Sequence, residues 1–335
     1  MTMIDYKKLI ESFKDKRVMI VGDVMVDSYL WGVVDRISPE APVPVVDVNH
    51  REERLGGAAN VALNIQALGV EAILCSVVGK ELKGDAFLRI MEEEGLATDG
   101  IYRTNDRITT TKFRIIGNNS QLLRVDEENT HDLSPDDEKK FLDICTGHIE
   151  SNSIDVLIIQ DYNKGIMTPG VITAIIEKAN SMNVPVVVDP KKKNFDLYRN
   201  VSLFKPNLKE LKEGLKIEFN EPEEDVLNDT VSILREKINN DIALITLSEH
   251  GIYISSHKEG NTESHLLPAH RRNISDVSGA GDTVVSVASL CLAAGAKLRT
   301  IAEVSNLAGG IVCEKVGVVP IDRERFMEEL DKLGS

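Results

Sequence analysis

Strand and helix patterns alternate regularly from Asn129 to the end of the chain. The predicted strands are 155–160, 184–188, 201–204 and 242–247, with a hairpin-like segment at 251–256. The predicted helices are 135–150, 169–181, 207–214, 223–238, 299–314 and 322–333, with a further helix that begins near residue 282. Such alternation is typical of an α/β fold whose mostly parallel sheet is covered by helices on both faces.

The amino-terminal part contains the same kinds of element and two strand-rich stretches. Helices are predicted at 4–14, 56–68 and 85–94, and strands at 18–23 and 72–78. Between them, 24–55 and 104–127 have little helical periodicity, and 108–116 and 121–126 form a hairpin pattern around Gly117-Asn118-Asn119-Ser120. We expect these stretches to form a small β-lid. Because no linker or repeat is present, we expect 1–335 to form a single domain.

The overall composition excludes several classes of partner. The 335 residues are 42% hydrophobic and 28% charged, with a net charge of −15. This acidity argues against nucleic acid or an anionic membrane as the main partner, and an anionic substrate would need a local basic pocket. The cysteines form no Cys-x-x-Cys pair, and neither a signal peptide nor a membrane span is evident. We therefore expect a soluble cytoplasmic protein with reduced thiols.

Residues 276–283 (Asp-Val-Ser-Gly-Ala-Gly-Asp-Thr) are the strongest candidate for a reactive site. Glycine allows a sharp turn, and the apolar run from Val284 to Ala294 predicts a buried helix after it. A helix start presents N–H groups and a positive dipole end to an anion. Asp282 beside such an anion site could remove a proton from a hydroxyl during phosphoryl transfer. The alternative is a tight turn capped by Asp282. The turn is neither a Walker A loop nor a dinucleotide fingerprint.

Two further clusters suit a sugar. Asp23 and Asp27 follow the predicted strand 18–23, and carboxylates accept hydrogen bonds from hydroxyl groups. Residues 56–60 (Gly-Gly-Ala-Ala-Asn) would let a substrate lie against the backbone, with Asn60 as donor and acceptor. The alternatives are strand-end caps for the acids and a plain helix start for the glycines.

Basic residues are concentrated in the predicted hairpin and in residues 161–165 (Asp-Tyr-Asn-Lys-Gly). Strand alternation places Lys112 and Arg114 on one face, with Arg124 and Lys164 as further cations. In so acidic a chain this group could bind a substrate phosphate. Solvated surface charge is the alternative.

Asn207 and Glu210 lie three residues apart at a predicted helix start, and Asp189 ends a predicted strand. Oxygen ligands of this kind suit a Mg²⁺ ion that keeps most of its waters. Asn207 and Glu210 also fit a capping box, and both interpretations can hold together. The histidines show no metal-ligand spacing.

Taken together, these motifs resemble those of the ribokinase/PfkB family of carbohydrate kinases. The resemblance covers nearly the whole chain and depends on Gly-Gly-x-x-Asn at 56–60, Asn-x-x-Glu at 207–210 and Asp-x-x-Gly-Ala-Gly-Asp at 276–282. It implies a ribokinase-like fold and transfer of phosphate from ATP, with Mg²⁺, to a sugar hydroxyl.

The resemblance also implies roles for individual residues. Asp282 is the expected base, with the amides of Gly279, Ala280 and Gly281 stabilising the transferred phosphoryl group. The expected sugar ligands are Asp23, Asp27, Gly56, Gly57, Asn60 and Asp282, and the expected ligands of a substrate phosphate are Lys112, Arg124 and Lys164. The expected nucleotide contacts are Asn207, Glu210, Ser248, Gly251, Val277, Gly279, Gly281 and Asn306, and those near the metal are Asn207, Glu210 and Asp189. Lid closure and a homodimer through the lid are expected as well.

A narrower resemblance is to the kinases that phosphorylate D-glycero-β-D-manno-heptose 7-phosphate at its anomeric hydroxyl. It depends on 22–29, 36–46, 52–62 and 161–165. In many bacteria this kinase is joined to an adenylyltransferase, but no His-x-Gly-His motif occurs here, so we expect the kinase alone. Two alternatives remain at this point: a kinase for another sugar, and a non-catalytic sugar- or nucleotide-binding regulator.

Overall fold

Two β-sheets organise the structure, a computed structural model that describes residues 5–151, 153–258 and 260–333. The strands in these ranges are β1 (Arg17–Gly22), β2 (Val24–Ile37), β3 (Pro44–Gly57), β4 (Glu71–Gly79), β5 (Ile101–Thr104), β6 (Thr111–Gly117), β7 (Ser120–Glu127), β8 (Val156–Gln160), β9 (Val186–Asp189), β10 (Leu203–Phe204), β11 (Ile242–Thr246), β12 (Ile252–Lys258) and β13 (Asn261–Leu267). The larger sheet has the order β13-β12-β11-β10-β9-β8-β1-β4-β5. All its neighbouring strands are parallel except β12 and β13, which form an antiparallel edge.

Helices cover both faces of this sheet. They are α1 (Tyr6–Glu11), α2 (Ala58–Ala67), α3 (Leu82–Glu93), α4 (Pro135–Ser151), α5 (Pro169–Ser181), α6 (Leu208–Leu215), α7 (Glu224–Ile238), α8 (Ala280–Ala293), α9 (Leu298–Val312) and α10 (Arg323–Leu333). None of the described helices is both long and apolar enough to cross a membrane.

The central strand β1 shows why both faces must be covered. Its alternate side chains enter different cores: Val18 and Ile20 belong to the core that includes α2, α8 and α9, whereas Met19 and Val21 belong to the core that includes α4, α5 and α7. All four are fully buried. Burying an aliphatic side chain of this size stabilises the fold by about 1.5–3 kcal/mol, so a strand that is apolar on both faces requires a three-layer arrangement. The predicted α/β fold class is confirmed.

The smaller sheet, which we call the lid sheet, has the order β3-β2-β6-β7. β2 pairs with β3 in antiparallel and with β6 in parallel orientation, and β6 and β7 form the predicted hairpin. Asp23 is the single residue between the end of β1 and the start of β2, so it lies at the junction of the two sheets. The predicted separate sheet is therefore present.

The sequence did not predict strand β5, and it predicted the hairpin of β12 and β13 to be shorter than it is. β5 has only four residues, is partly exposed and contains Arg103, so its sequence carries no clear alternation. The segment expected to be hairpin-like over 251–256 extends through β13 to Leu267, whose outer half is exposed and polar.

Candidate active site

Asp282 lies in the first turn of α8, where the preceding glycine turn meets the carboxyl ends of the parallel strands. Gly279 is the N-cap residue and has φ = +82°, a conformation that glycine adopts without the strain of a side chain. The N–H of Ala280 already donates to Val277 O at 3.3 Å. The anion site expected of this turn therefore depends chiefly on Gly279, Gly281 and the helix dipole.

The Asp282 carboxylate is buried and accepts three side-chain hydrogen bonds. Asn60 Nδ2 donates to Oδ2 at 2.7 Å. Tyr162 OH donates to Oδ1 at 2.6 Å, and Gln160 Nε2 donates to the same oxygen at 3.2 Å. Burial raises the pKa of Asp282 to about 6, although the bonds from Asn60 and Tyr162 act in the opposite direction. Asp282 is thus ionised at neutral pH and still a better base than an ordinary aspartate.

A buried ion pair lies directly beside this carboxylate. Lys205 Nζ is 3.1 Å from Asp189 Oδ2, and the two side chains are 3% and 8% exposed. Gln160 Nε2 connects the two carboxylates, because it also donates to Asp189 Oδ2 at 3.1 Å. A methyl group added at Gly281 would lie 3.8 Å from Lys205 Nζ, so the ammonium group lies close to the glycine turn.

Asp23 makes contacts that the sequence did not predict. Its side chain is fully buried, and its two oxygens accept the backbone N–H groups of Tyr162, Lys164 and Ile166 at 2.7, 3.1 and 3.2 Å. Burial and the neighbouring Asp161 carboxylate raise the pKa of Asp23 to about 6. These three bonds assign Asp23 to holding the 161–166 loop, and its predicted contact with the sugar stays a prediction.

Asp27, Gly56 and Gly57 meet at the inner end of the lid sheet. Asp27 is nearly inaccessible and forms an ion pair with Arg114 of β6. A side chain at Gly56 would collide with Asp27 Oδ2, and Gly57 has φ = +63° with Asp23 O close by. The structure brings these predicted sugar residues together, while Asn60, also fully buried, donates its amide to Asp282.

The predicted phosphate-binding cations lie on the lid sheet and on the adjoining loop. Burial lowers the pKa of Lys112, and the nearby ammonium of Lys164 lowers it further. Lys164 Nζ contacts Glu128 Oε2 at 2.6 Å. Arg124 is more exposed and pairs with Asp126 at 3.0 Å. Lys112 and Lys164 therefore form a pair of like charges that an anion would stabilise.

Three of the predicted nucleotide residues share one edge of the sheet. Ser248 O accepts the N–H of Gly251 at 3.1 Å, and a side chain at Gly251 would collide with the backbone of 267–269. Asn306 Nδ2 donates to Pro268 O at 2.8 Å, so its amide holds the same segment. Val277 is 68% exposed in the loop before α8.

The predicted metal residues are occupied by other contacts. Asn207 and Glu210 form the expected capping box of α6. Glu210 also pairs with Lys191, as Asp189 pairs with Lys205. No group of three or more His, Cys, Asp or Glu residues that could hold a metal occurs in the part of the chain that the structure describes. These residues do not form a metal site made of protein ligands alone. Their oxygens are nevertheless suited to contact the waters of a hydrated Mg²⁺ that is bound to a nucleotide.

Comparison with known proteins identifies the family. A family model described as pfkB family carbohydrate kinase matches residues 15–324. The chain belongs to this family. It is a sugar kinase, that is, a phosphotransferase, and the alternative of a non-catalytic regulator is set aside.

Individual relatives agree with this family. The bifunctional protein HldE of Citrifermentans bemidjiense is 36% identical over 97% of this chain, and that of Helicobacter pylori strain 26695 is 38% identical over 90%. The chain spans 66% and 64% of the lengths of these two relatives. Among solved structures, phosphofructokinase-2 from Escherichia coli in complex with potassium has a TM-score of 0.78 at 18% identity, covering 96% of this chain and 99% of that one. Arabidopsis thaliana ribokinase complexed with ribose and ATP has a TM-score of 0.70 at 15% identity, covering 94% and 98%. At these identities the two structures show the likeness of fold.

In this PfkB kinase, sequence reasoning missed three residues around the carboxylate: Gln160, Tyr162 and Lys205. Gln160 ends β8, Lys205 directly follows β10, and Tyr162 lies two residues after β8. Such positions line the ligand crevice in α/β folds. Position was the only available signal. A polar residue at a strand end can equally point to solvent, and only the tertiary structure brings these three to Asp282.

Proposed function

We propose that this chain transfers the γ-phosphoryl group of ATP to the anomeric hydroxyl of D-glycero-β-D-manno-heptose 7-phosphate, giving the 1,7-bisphosphate. The observation that carries the proposal is the buried Asp282 carboxylate, held at a helix start beside a glycine turn with its pKa raised to about 6. The choice of heptose is supported by the motifs at 22–29, 36–46, 52–62 and 161–165 and by relatives that are named bifunctional protein HldE.

In the proposed mechanism Asp282 takes the proton of the anomeric hydroxyl as the oxygen attacks the γ-phosphorus. The bond from phosphorus to the β,γ-bridging oxygen breaks, and ADP leaves. The N–H groups of Gly279 and Gly281 and the positive end of α8 stabilise the charge on the phosphoryl oxygens, and the Ala280 N–H joins them when it leaves Val277 O. A preorganised donor of this kind lowers the barrier by about 3–4 kcal/mol. Lys205, close to the same turn, adds positive charge there.

The sugar is proposed to lie between Asp282 and the lid sheet. Asp27, Gly56, Gly57 and Asn60 surround its hydroxyl groups, although Asn60 also supports Asp282. Lys112 and Lys164 bind the 7-phosphate, and Arg124 lies further out on β7. Closure of the lid over the sugar excludes water, so that phosphate passes to the sugar and not to water.

ATP is proposed to bind along the edge formed by Ser248, Gly251 and Asn306, with Val277 as an exposed contact. Mg²⁺ bound to the nucleotide would neutralise phosphate charge. Glu210, Asn207 and Asp189 are the residues proposed to lie near its hydration shell.

We also propose that two copies pair through their lid sheets. Strand β7 exposes Leu122, Leu123 and Val125 at 43%, 55% and 43%, and a second copy could cover them. Sedimentation of the purified chain tests this: twice the mass of one chain is expected, and the mass of a single chain would contradict it.

We place the reaction in the cytoplasm, since the cysteines of the described chain are free thiols. The proposed substrate places it in ADP-heptose synthesis for the lipopolysaccharide core.

The experiment that tests the function measures ADP release with ATP and Mg²⁺ across five acceptors: D-glycero-D-manno-heptose 7-phosphate, sedoheptulose 7-phosphate, fructose 6-phosphate, ribose and adenosine. Strong turnover with the first alone, with a 1,7-bisphosphate product, is the expected result. Turnover with another acceptor instead would support the kinase activity but contradict the proposed substrate.

A further inference from the structure

The Asp282 carboxylate has little hydrogen-bonding capacity left. An ionised carboxylate offers about four acceptor positions, two on each oxygen. Tyr162 and Gln160 occupy both positions on Oδ1, and Asn60 occupies one on Oδ2. The remaining position is therefore on Oδ2.

The Tyr162 phenol is held in place from both ends. Its hydroxyl is 2.6 Å from Asp282 Oδ1. Its backbone N–H is fixed by Asp23, which also fixes two further N–H groups of the same loop. Asn163 and Gly165 turn this loop with φ = +56° and +86°, and Asn163 N–H donates to Asp161 Oδ1 at 2.7 Å. Such a loop fixes the backbone position from which the Tyr162 side chain reaches Asp282.

We propose that Tyr162 is a positioning residue that turns the Asp282 carboxylate so that Oδ2 receives the substrate proton. This inference rests on the proposed function, because it assigns a role beside the same base. Lys164, two residues further along the loop, is among the proposed phosphate ligands, so one loop positions both the base and a substrate-binding cation.

Several other charged groups surround this contact. Asp189 and Lys205 act on Asp282 with opposite signs. Lys191 lies over the Tyr162 ring at 5.5 Å from its centroid, and Asp23 and Asp161 flank the loop. All of them remain when only the phenol oxygen is removed, so a matched pair of variants isolates the effect of that oxygen.

The first test is a carboxyl ¹³C NMR titration of the full chain labelled at aspartate, with the Asp282 signal assigned by its loss in Asp282→Asn. In Tyr162→Phe the Asp282 midpoint should rise by about one pH unit, because a donor to the ionised form is lost. The matched control is Tyr198→Phe, which removes a buried phenol 2.6 Å from Asp161 and should leave the midpoint unchanged. The second test places 3,5-difluorotyrosine at position 162, where the more acidic phenol is a stronger donor and should lower the midpoint.

Turnover provides a separate measurement. In Tyr162→Phe we expect kcat to fall about tenfold at pH 8.5 and about fivefold further at pH 6, where the raised midpoint leaves less of Asp282 ionised, with little change in the sugar KM. An unchanged Asp282 midpoint with both phenylalanine and difluorotyrosine, or an equal shift in Tyr198→Phe, would overturn the proposal. If Tyr162→Phe does not fold, the difluorotyrosine result alone decides. Turnover retained in Asp282→Asn would instead refute the proposed base, and the NMR midpoint would still report on the Tyr162 contact.

Discussion

Two charged sites can be compared: the Asp282 cluster (Asp282 with Asn60, Gln160 and Tyr162) and the lid cations (Lys112 and Lys164). They differ in how many of their polar contacts are already made without a ligand. Asp282 already has three side-chain donors and lies beside a buried ion pair. Lys112 and Lys164 stand close together with like charge, and their partners are Asp126 and Glu128 of the lid region. The first site is complete without substrate, whereas the second keeps two like charges close together, and a bound anion would stabilise them further.

The difference follows from where each site is built. Most of the groups around Asp282 come from the ends of parallel strands in a doubly covered sheet, where low solvent access strengthens every polar contact, and Asn60 comes from α2. Of the two lid cations, Lys112 lies on β6 of a sheet with one solvent-facing side, and Lys164 lies on the loop that follows β8. We infer that the strand ends of the main sheet perform the chemistry, and that the lid sheet, together with the loop that carries Lys164, determines which sugar is accepted.

The largest expected effect is the loss of the base. Asp282→Asn should lower kcat by about 10²–10⁴-fold, because no group remains to take the proton. Nucleotide affinity, measured by calorimetry with a non-hydrolysable ATP analogue, should change little. Near-normal turnover in this variant would remove Asp282 from the chemistry and make the buried cluster a structural feature.

The next largest effect concerns the stability of the buried cluster. Lys205→Met should lower the free energy of unfolding by about 3–5 kcal/mol, since Asp189 would be left buried without its partner. The matched control is Lys193→Met, which breaks a 2.6 Å pair with Asp132 whose side chains are 46% and 44% exposed. That change should cost less than about 1 kcal/mol. Equal losses in denaturant unfolding would contradict the contrast between buried and exposed charge.

A smaller effect is expected in the pH dependence of stability. Because the pKa of Asp282 is about 6 in the folded state and 3.8 for the free group, folding favours its protonated form. Stability attributable to this group is present below pH 3.8 and is lost as the pH rises through 6. The free energy of unfolding of Asp282→Asn should therefore exceed that of the wild type at pH 8 by about 1–3 kcal/mol, provided that the Asn60 amide turns to accept the new donor. This advantage should disappear near pH 4, and a constant difference from pH 4 to pH 8 would be inconsistent with a raised pKa.

Much of the architecture could be predicted from the sequence, because the apolar runs of the central strands and the glycine turn before α8 leave few alternatives. The Asn207–Glu210 capping box was predictable for the same reason, since it depends on residues three apart. Short, half-exposed β5 was missed because tertiary pairing rather than local pattern makes it a strand.

Site residues were harder to predict, since a strand-end acid can point into a crevice or bind the loop that follows a neighbouring strand. Asp23 does the latter, and sequence spacing does not distinguish the two. The roles of Gln160 and Tyr162 depend on their hydrogen bonds to Asp282, which is more than a hundred residues away in the chain, so the local sequence does not predict them. The roles of the lid cations and of the nucleotide residues stay predictions.

The most direct test of the division between the two sheets is the ratio of kcat/KM for D-glycero-D-manno-heptose 7-phosphate to that for the unphosphorylated heptose. This ratio should be measured in the wild type, in the variant Lys112→Met/Lys164→Met and, as a control, in Lys193→Met. The wild type and the control should strongly favour the phosphorylated sugar, and the double variant should lose about 10–100-fold of that preference through KM, with kcat nearly kept. A ratio near one in the wild type, or a double variant that loses kcat with its preference intact, would contradict the account.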